Sequence, residues 1–365
     1  MGQPPRATDD DRIAAACAQV QSGGAPLAGA SSALVRELGL SASPDGASER
    51  AITDDQTNVS VVVGEQFIVK WFRRPASPDR GSQLVEHLAA VGFTATPALL
   101  GRRVSSAGTL ASVHRFLPDT QDGWTWCVDE TLAGLDSGGA STWPAAVGRL
   151  AGELAVGLAT PSTIDLQPLR GTTSGEVVRD AALLEIAAAA TLPQLPTLDG
   201  RVSDGRQLTL LLRHIDLPVV ELLTNVPIAL IHADLHVGQI LRWANGLAVV
   251  DFDGDPARPD EAASPLPFDR DLAHLLVSVE LVGSAAAKRR ASDEGTADWT
   301  RKARSALLES YRATLNSAGL GRLHYPELLA LLELSQLARE YSYAVNFLPR
   351  FAYASAEAVR RRLNQ

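Results

Sequence analysis

The sequence predicts an α+β fold of two lobes, with a small β-rich N-terminal lobe under a helical cap and a mostly helical C-terminal lobe. Two observations support this. Val- and Ile-rich runs are concentrated before about residue 122, and long Ala- and Leu-rich stretches follow them. A chain of 365 residues is also long enough for two lobes with a sizeable shared core. We therefore expect a cap at 1–50, a β-rich lobe at 51–122 and a helical lobe at 123–365.

The first 120 residues combine the cap with paired strands. Two short helices are predicted over DDRIAAACAQVQ and SSALVRELGL, and SASPDGASER has the composition of a linker. The runs NVSVVVG and EQFIVKWF meet at Gly64-Glu65, which predicts a β-hairpin. SPDRGSQLVEHLAAVG is typical of a capped helix, and TPALLGRRVSSAGTLASVHRFLP then supplies two or three further strands.

The pattern from about residue 126 onward is long and helical. A loop is predicted at LPQLPTLDGRVSDG, and a compact strand region at IALIHADLHVGQILRWANGLAVVDFDGD. Within that region two apolar strands flank Ala244-Asn245-Gly246, which is a hairpin signal. The chain ends in helices over YPELLALLELSQLAREYSYAVNFLP and YASAEAVRRRL, so the helical lobe contains an embedded hairpin.

Composition and charge narrow the class of partner. The chain is 45% hydrophobic and 21% charged with a net charge of −9, so a nucleic acid is not expected as its main partner. No segment offers the ~20 apolar residues of a membrane span, and the N-terminus does not resemble a signal peptide. Cys17 and Cys127 are expected to be reduced thiols. We therefore expect a cytoplasmic protein with no membrane partner, and the sequence leaves its oligomeric state open.

The strongest chemical signal is a set of acids and an amide in the strand region. HADLH at 232–236 is followed by Gln239 and then by DFD at 251–253. Phosphoryl transfer needs a carboxylate that accepts the proton of the attacking hydroxyl, and oxygen ligands that hold Mg²⁺ against a triphosphate. The hairpin can bring Asp234, Gln239 and Asp251 together at one edge. Since Cys and His would dominate a zinc site, this donor set favours Mg²⁺ and a kinase.

These motifs resemble the catalytic and metal-binding loops of the aminoglycoside phosphotransferase-like kinases. The likeness is nearest to actinobacterial maltokinases and the glucosamine kinases related to them, and it covers about residues 50–280. Four further segments carry it: DQTNVS at 55–60, VKWFRR at 69–74, DGDPARP at 253–259 and FDRDLA at 268–273. The resemblance implies a two-lobed protein kinase-like fold and ATP-dependent phosphorylation of a sugar hydroxyl.

The resemblance also implies roles for individual residues. Asp234 would be the catalytic base, and Gln239 and Asp251 would bind Mg²⁺ with help from Asp253. Lys70 would contact the α- and β-phosphates of ATP. Further nucleotide contacts would come from the turn between the first strands and from the lobe junction, at Gln56, Asn58, Ser60, Arg115 and Leu117.

The sequence departs from the family pattern at several positions. Ala233 stands where a Gly is usual, which is a small change, and Gln239 replaces the commoner Asn, as in maltokinases. No Gly-x-Gly-x-x-Gly is present, so the phosphate grip must rest on side chains and turn amides. The helix residue that would pair with Lys70 is either Gln83 or Glu86.

The acceptor is expected against the C-terminal helices. Gln336, Glu340, Tyr343 and Phe347 recur at spacings of four, three and four, so they share one helical face. Such groups suit a polyol and a carboxylate suits an amine, but an amphipathic helix with polar surface residues explains the pattern equally well. The resemblance favours glucosamine, converted to glucosamine 6-phosphate, with Asp234 at the 6-hydroxyl and Glu340 at the 2-ammonium group. Gln336 and Tyr343 would be further acceptor contacts.

Three other functions stay open at this point. A maltokinase would phosphorylate the anomeric hydroxyl of maltose and need a longer sugar groove, whereas an aminoglycoside phosphotransferase would need a markedly acidic acceptor cleft. A non-catalytic, pseudokinase-like binding module is disfavoured because Lys70, Asp234, Gln239 and Asp251 are all present.

Overall fold

A computed structural model of the chain describes residues 8–40, 48–52, 58–137 and 141–364. Helices and strands of the N-terminal lobe follow one another as α1 (Asp9–Gln21), α2 (Ala30–Glu37), β1 (Glu49–Ile52), β2 (Val59–Val63), β3 (Phe67–Ala76), α3 (Arg80–Ala90), β4 (Leu99–Ser105) and β5 (Gly108–Arg115). The strands form one antiparallel sheet in the order β1-β2-β3-β5-β4. The predicted cap helices, hairpin and capped helix are therefore present.

The cap and the sheet share a small core of their own, and its packing decides where Lys70 points. Val69 and Trp71 on β3 are fully buried against the cap, and the Trp71 indole donates a hydrogen bond of 3.0 Å to the Ser31 hydroxyl of α2. Because successive side chains of a strand point to opposite faces, Lys70 projects from the other face of the sheet. That face looks toward the C-terminal lobe.

The C-terminal lobe is mostly helical. Its first part runs α4 (Gly123–Ser137), α5 (Trp143–Ala159), β6 (Leu169–Thr173), α6 (Gly175–Ala189), β7 (Leu195–Pro196), β8 (Val202–Ser203), α7 (Arg206–Leu211), α8 (Leu217–Glu221), β9 (Val226–Ala229), β10 (Ile240–Trp243) and β11 (Gly246–Val249). Its second part runs α9 (Pro259–Ala262), β12 (Leu266–Pro267), α10 (Asp269–Arg290), α11 (Thr296–Ser317), α12 (Pro326–Asn346) and α13 (Ala352–Leu363). Short 3₁₀ turns occupy Leu212–His214, Val237–Gln239, Gly321–Leu323 and Pro349–Phe351.

The predicted strand region contains the β10–β11 hairpin, in which Trp243 pairs with Gly246. The segment predicted as a loop at 192–205 differs, because it contains the short antiparallel pair β7–β8. Two-residue strands carry too little alternation to be seen in a sequence. No helix within the described ranges is both long and apolar enough to cross a bilayer.

The junction between the lobes is fixed to the β10–β11 hairpin. Gln121 and Arg242 exchange backbone hydrogen bonds of 2.8 and 3.0 Å, and the Arg242 guanidinium lies 5.1 Å from the centre of the Trp126 ring. At the start of α4, a Cβ on Gly123 would lie 1.5 Å from the Val237 carbonyl oxygen. Only glycine fits there, so the hairpin and the segment before it are held tightly against α4.

Candidate active site

The loop that carries Asp234 follows β9 and is held by the N-terminal turn of α10. The buried Asp271 carboxylate accepts the backbone N–H groups of His232 and Ala233, at 2.8 and 2.9 Å. Burial raises the pKa of Asp271 to about 6, while the two backbone N–H groups act in the opposite direction. Ala233 takes a left-handed conformation with φ of 68°. The loop therefore turns sharply at Ala233 and presents Asp234 to the cleft.

His232 and His236 support this loop through hydrogen bonds. His232 bonds to the Val250 carbonyl through Nε2 (2.9 Å), and its Nδ1 faces the Asp234 amide at 3.3 Å. His236 Nδ1 accepts from the Gly238 amide at 3.0 Å and so caps the following 3₁₀ turn. Burial lowers the pKa of His232 to about 4 and that of His236 to about 3. Both rings are neutral at pH 7.

Arg80 joins the N-terminal lobe to the loop. It is the first residue of α3 and only 8% exposed. Its guanidinium donates to the carbonyl oxygens of Ile231 and Phe252, and to that of His232 at 3.2 Å. One side chain thus ties helix α3 to both segments of the catalytic motif, the HADLH loop and the DFD segment.

Asp234 lies in a partly enclosed position, with its side chain 19% exposed. Its Oδ2 is 3.5 Å from the Gln239 amide nitrogen, and its Oδ1 is 3.8 Å from His274 Nδ1. Burial raises the pKa of Asp234 to about 7; His274 opposes the shift, and the charges of Asp255, Asp251 and Glu340 add to it. A base works best when its pKa is close to the operating pH, so this carboxyl suits proton abstraction.

Lys70 lies directly against the DFD segment. Its Nζ is 2.8 Å from Asp251 Oδ1 and 2.8 Å from Asp253 Oδ2. Burial opposes the charged form, but the two carboxylates raise the pKa of Lys70 above its usual value. Burial likewise opposes ionisation of Asp251, but Lys70 holds the pKa of this carboxyl below its usual range. The Lys70 ammonium and the Asp251 carboxylate therefore form a charged pair in the cleft, with Asp253 beside them.

Neither of the two helix residues expected to pair with Lys70 does so. Glu86 forms an ion pair of 2.9 Å with Arg102, and the Gln83 side chain is exposed. Lys70 reaches the DFD acids instead because β3 directs it across the cleft toward the end of β11. This correction depends on how the two lobes pack, which helix spacing does not reveal.

The oxygen donors present fit Mg²⁺. Asp251, Asp253 and Gln239 offer two carboxylates and an amide, which is the hard-oxygen chemistry that Mg²⁺ prefers, with phosphates and water as its remaining ligands. Within the described ranges, no three His, Cys, Asp or Glu side chains are grouped so as to hold a metal by themselves.

The expected nucleotide contacts are distributed along the cleft. The buried Ser60 pairs across the sheet with Lys70, and the Asn58 amide nitrogen lies 3.4 Å from Asp253 Oδ2. Gln56 lies outside the described residues. These positions put Ser60 and Asn58 beside the charged cluster, where a triphosphate would lie.

The lobe junction offers fewer backbone donors than expected. The Arg115 amide donates to the Ala98 carbonyl and the Phe116 amide to the Gln66 carbonyl, both at 2.9 Å. The Leu117 amide has no partner within the part of the chain that the structure describes. Leu117 is therefore the expected adenine donor here, whereas the Arg115 N–H is already engaged.

Helix α12 brings the expected acceptor residues to the same cleft. Glu340 Oε1 is 3.0 Å from the Gln336 amide nitrogen and 3.1 Å from His274 Nε2. Gln336 is buried, whereas Tyr343 is 43% exposed and lies one turn farther along the helix. The helical face chosen from the sequence thus faces Asp234 through His274. His274 was not among the site residues predicted from the sequence, although it lies three residues after Asp271 in a buried helix.

The fold and the cleft together define an ATP-dependent phosphotransferase of the two-lobed kinase class. No protein-family model matches the chain. A glucosamine kinase from Streptacidiphilus jiangxiensis is 33% identical over 324 residues, which cover 84% of this chain and 71% of that protein. A glucosamine kinase from Mycolicibacterium smegmatis is 33% identical over 339 residues, covering 89% of this chain and 82% of that protein.

The chain is also similar to the solved structure of a glucosamine kinase. A glucosamine kinase in complex with glucosamine, ADP and inorganic phosphate superposes with a TM-score of 0.75 at 28% identity, covering 92% of this chain and 86% of that one. The chain belongs to the glucosamine kinase family.

Proposed function

We propose that this protein transfers the γ-phosphate of ATP to the 6-hydroxyl of glucosamine. The observation that carries the proposal is the position of Glu340. The His274 ring lies between the carboxylate of Glu340 and that of the base Asp234. A group that can pair with an ammonium is therefore close to the hydroxyl that Asp234 would deprotonate. Two glucosamine kinases that are each 33% identical to the chain support this acceptor over maltose.

Each of the polar residues in the cleft has a role in the proposed reaction. Asp234 accepts the proton of the sugar hydroxyl, whose oxygen attacks the γ-phosphorus as the bond to ADP breaks. Lys70 binds the α- and β-phosphates, and Asp251, Asp253 and Gln239 would hold Mg²⁺. When bound, Mg²⁺ neutralises charge on the phosphates. Gln336, Glu340 and Tyr343 bind the sugar, while Ser60, Asn58 and the Leu117 amide contact the nucleotide.

The reaction is proposed to take place in the cytoplasm. Cys17 and Cys127 are both free and buried, in agreement with a reducing compartment.

A coupled assay of ADP release with Mg-ATP tests the acceptor and the base together. Glucosamine, glucose, maltose and kanamycin are compared as acceptors, and NMR of the product locates the phosphate. Glucosamine is expected to be preferred and to be phosphorylated on the 6-oxygen. Asp234→Asn keeps the shape of the side chain and is expected to lower kcat by about 10²–10⁴-fold, the usual contribution of a positioned base.

Asp298→Asn is the matched control, because Asp298 pairs only with Arg301 and Lys302 on the surface of α11 among the described residues. It should leave turnover unchanged. Full activity of Asp234→Asn would refute the role of the base, and preferential phosphorylation of maltose on the anomeric oxygen would identify a maltokinase instead.

A further inference from the structure

His274 lies between the two carboxylates that the proposed reaction uses. It is 8% exposed and lies in the second turn of α10, with Nε2 3.1 Å from Glu340 Oε1 and Nδ1 3.8 Å from Asp234 Oδ1. The His236 ring packs 5.2 Å away, centre to centre. Among the described residues, His274 is the one side chain that lies within ion-pair distance of both Asp234 and Glu340.

The hydrogen bonds to Glu340 show that its carboxylate acts as an acceptor and has a fixed orientation. Burial opposes its ionisation, but the hydrogen bond and charge of His274 lower the pKa of Glu340, so it is an acceptor only. His274 Nε2 must then carry a hydrogen. Glu340 Oε1 accepts from both His274 and Gln336, which leaves Oε2 to meet a ligand. The carboxylate is therefore held in one orientation by two donors.

The His274 ring is also surrounded by carboxylates. Glu340 and Asp234 are carboxylates on opposite sides of one ring, and Asp271 lies on the same helix. Burial disfavours the imidazolium, but the hydrogen bond to Glu340 and the three carboxylates together raise the pKa of His274. The ring thus separates like charges and keeps Glu340 ionised next to the base.

We propose that His274 is a specificity-determining positioning residue, which orients Glu340 so that the site selects an acceptor carrying an amino group over a neutral sugar. The inference rests on the proposed function, because it assumes that Glu340 meets the acceptor. A site built around a fixed charged hydrogen bond discriminates strongly against substrates that lack the matching group.

Two amide substitutions test the Nε2 and Nδ1 sides of the His274 ring separately. In His274→Gln, the side-chain nitrogen can occupy the place of Nε2 and still donate to Glu340. In His274→Asn, the shorter side chain puts its donor near the place of Nδ1, on the Asp234 side. Both variants are polar and uncharged, so each is a matched control for the other.

The measurement is kcat and KM for glucosamine and for glucose, at one pH and saturating Mg-ATP. In wild type, kcat/KM is expected to be higher for glucosamine than for glucose. His274→Asn should reduce this ratio at least about tenfold, mainly through a higher KM for glucosamine, whereas His274→Gln should keep most of it. Thermal melting with ADP checks that both variants are folded.

A general structural role would lower the activity on both sugars equally and leave the ratio unchanged. Equal ratios in wild type and in His274→Asn would therefore overturn the inference. If His274→Asn does not fold, His274→Ala, Glu340→Gln and the double variant Glu340→Gln/His274→Ala replace it. Each single substitution should lower the ratio, and the double variant should lower it no further than Glu340→Gln does alone, because the two residues act as a unit. Additive losses would contradict the proposal.

Different outcomes refute the proposed function and the proposed role of His274. A wild-type enzyme that does not prefer glucosamine would refute the proposed function. A wild-type enzyme that prefers glucosamine, with His274→Asn equally selective, would refute only the role of His274.

Discussion

Replacing Arg80 with Met is expected to weaken the coupling between the lobes and to lower both stability and turnover. The Arg80 guanidinium donates to the carbonyl oxygens of Ile231, His232 and Phe252, in a position that is 8% exposed. Met fills similar volume but leaves these oxygens without that donor. Each buried polar group left unpaired costs about 1–3 kcal/mol.

The guanidinium itself is costly to bury, and burial lowers the pKa of Arg80. Removing it returns part of the loss at the three carbonyl oxygens, so the net destabilisation should be about 3–5 kcal/mol. With an unfolding entropy of about 2.1 cal/mol/K per residue, this lowers Tm by about 4–7 °C for a chain of this length.

Differential scanning calorimetry measures the stability, and the ADP-release assay measures turnover. Arg149→Met is the matched control, because Arg149 forms an ion pair with Glu153 on the surface of α5, where the two side chains are 68% and 49% exposed. Surface ion pairs contribute about 0–1 kcal/mol, so this variant should melt within about 1 °C of wild type. Equal melting temperatures for Arg80→Met and Arg149→Met would refute the assignment of Arg80 as the link between the lobes.

Two further predictions concern the catalytic loop. Ala233→Gly should raise the free energy of unfolding by about 0.5–1 kcal/mol. The left-handed φ of 68° costs an alanine about 1–2 kcal/mol that glycine avoids, while the greater freedom of glycine in the unfolded chain offsets part of this gain; a lower Tm would contradict the prediction. Since the pKa of Asp234 is raised to about 7, kcat/KM for glucosamine should fall about tenfold per pH unit below pH 7, as the base becomes protonated. A pH–rate profile that stays flat down to pH 5 would show that Asp234 ionises at its ordinary value.

The parts of the fold that the sequence predicted best are those whose residues lie close together along the chain. The alternation of Val and Ile around Gly64 and the turn at Asn245 each mark a hairpin whose partners are close in sequence, and both hairpins are present. The same holds for the motif around Asp234, since the acids and the amide lie on one loop and one hairpin. Short-range pairs of this kind leave a periodic signal that one sequence can show.

Contacts between distant segments could not be foreseen in the same way. Arg80 and its carbonyl partner on Phe252 are 172 residues apart, and Lys70 and Asp251 are 181 apart. In the sequence, Arg80 has the pattern of an ordinary first-turn residue of a helix, and the spacing on α3 favoured Gln83 or Glu86 as partners of Lys70. Which polar groups meet across the cleft depends on how the lobes pack, and periodicity carries no information about that.

Helix α10 explains how Asp234, the proposed base, and Glu340, the proposed acceptor-binding carboxylate, can be held at a fixed separation. Its first turn places Asp269 against the Tyr325 amide, at the start of α12, and Asp271 against the loop of Asp234. Acidic residues are favoured at this end of a helix by its dipole. One turn later His274 contacts both Asp234 and Glu340. One buried helix therefore sets the position of the loop, of α12 and of the ring between them, so a shift of α10 would alter proton transfer and acceptor selection together.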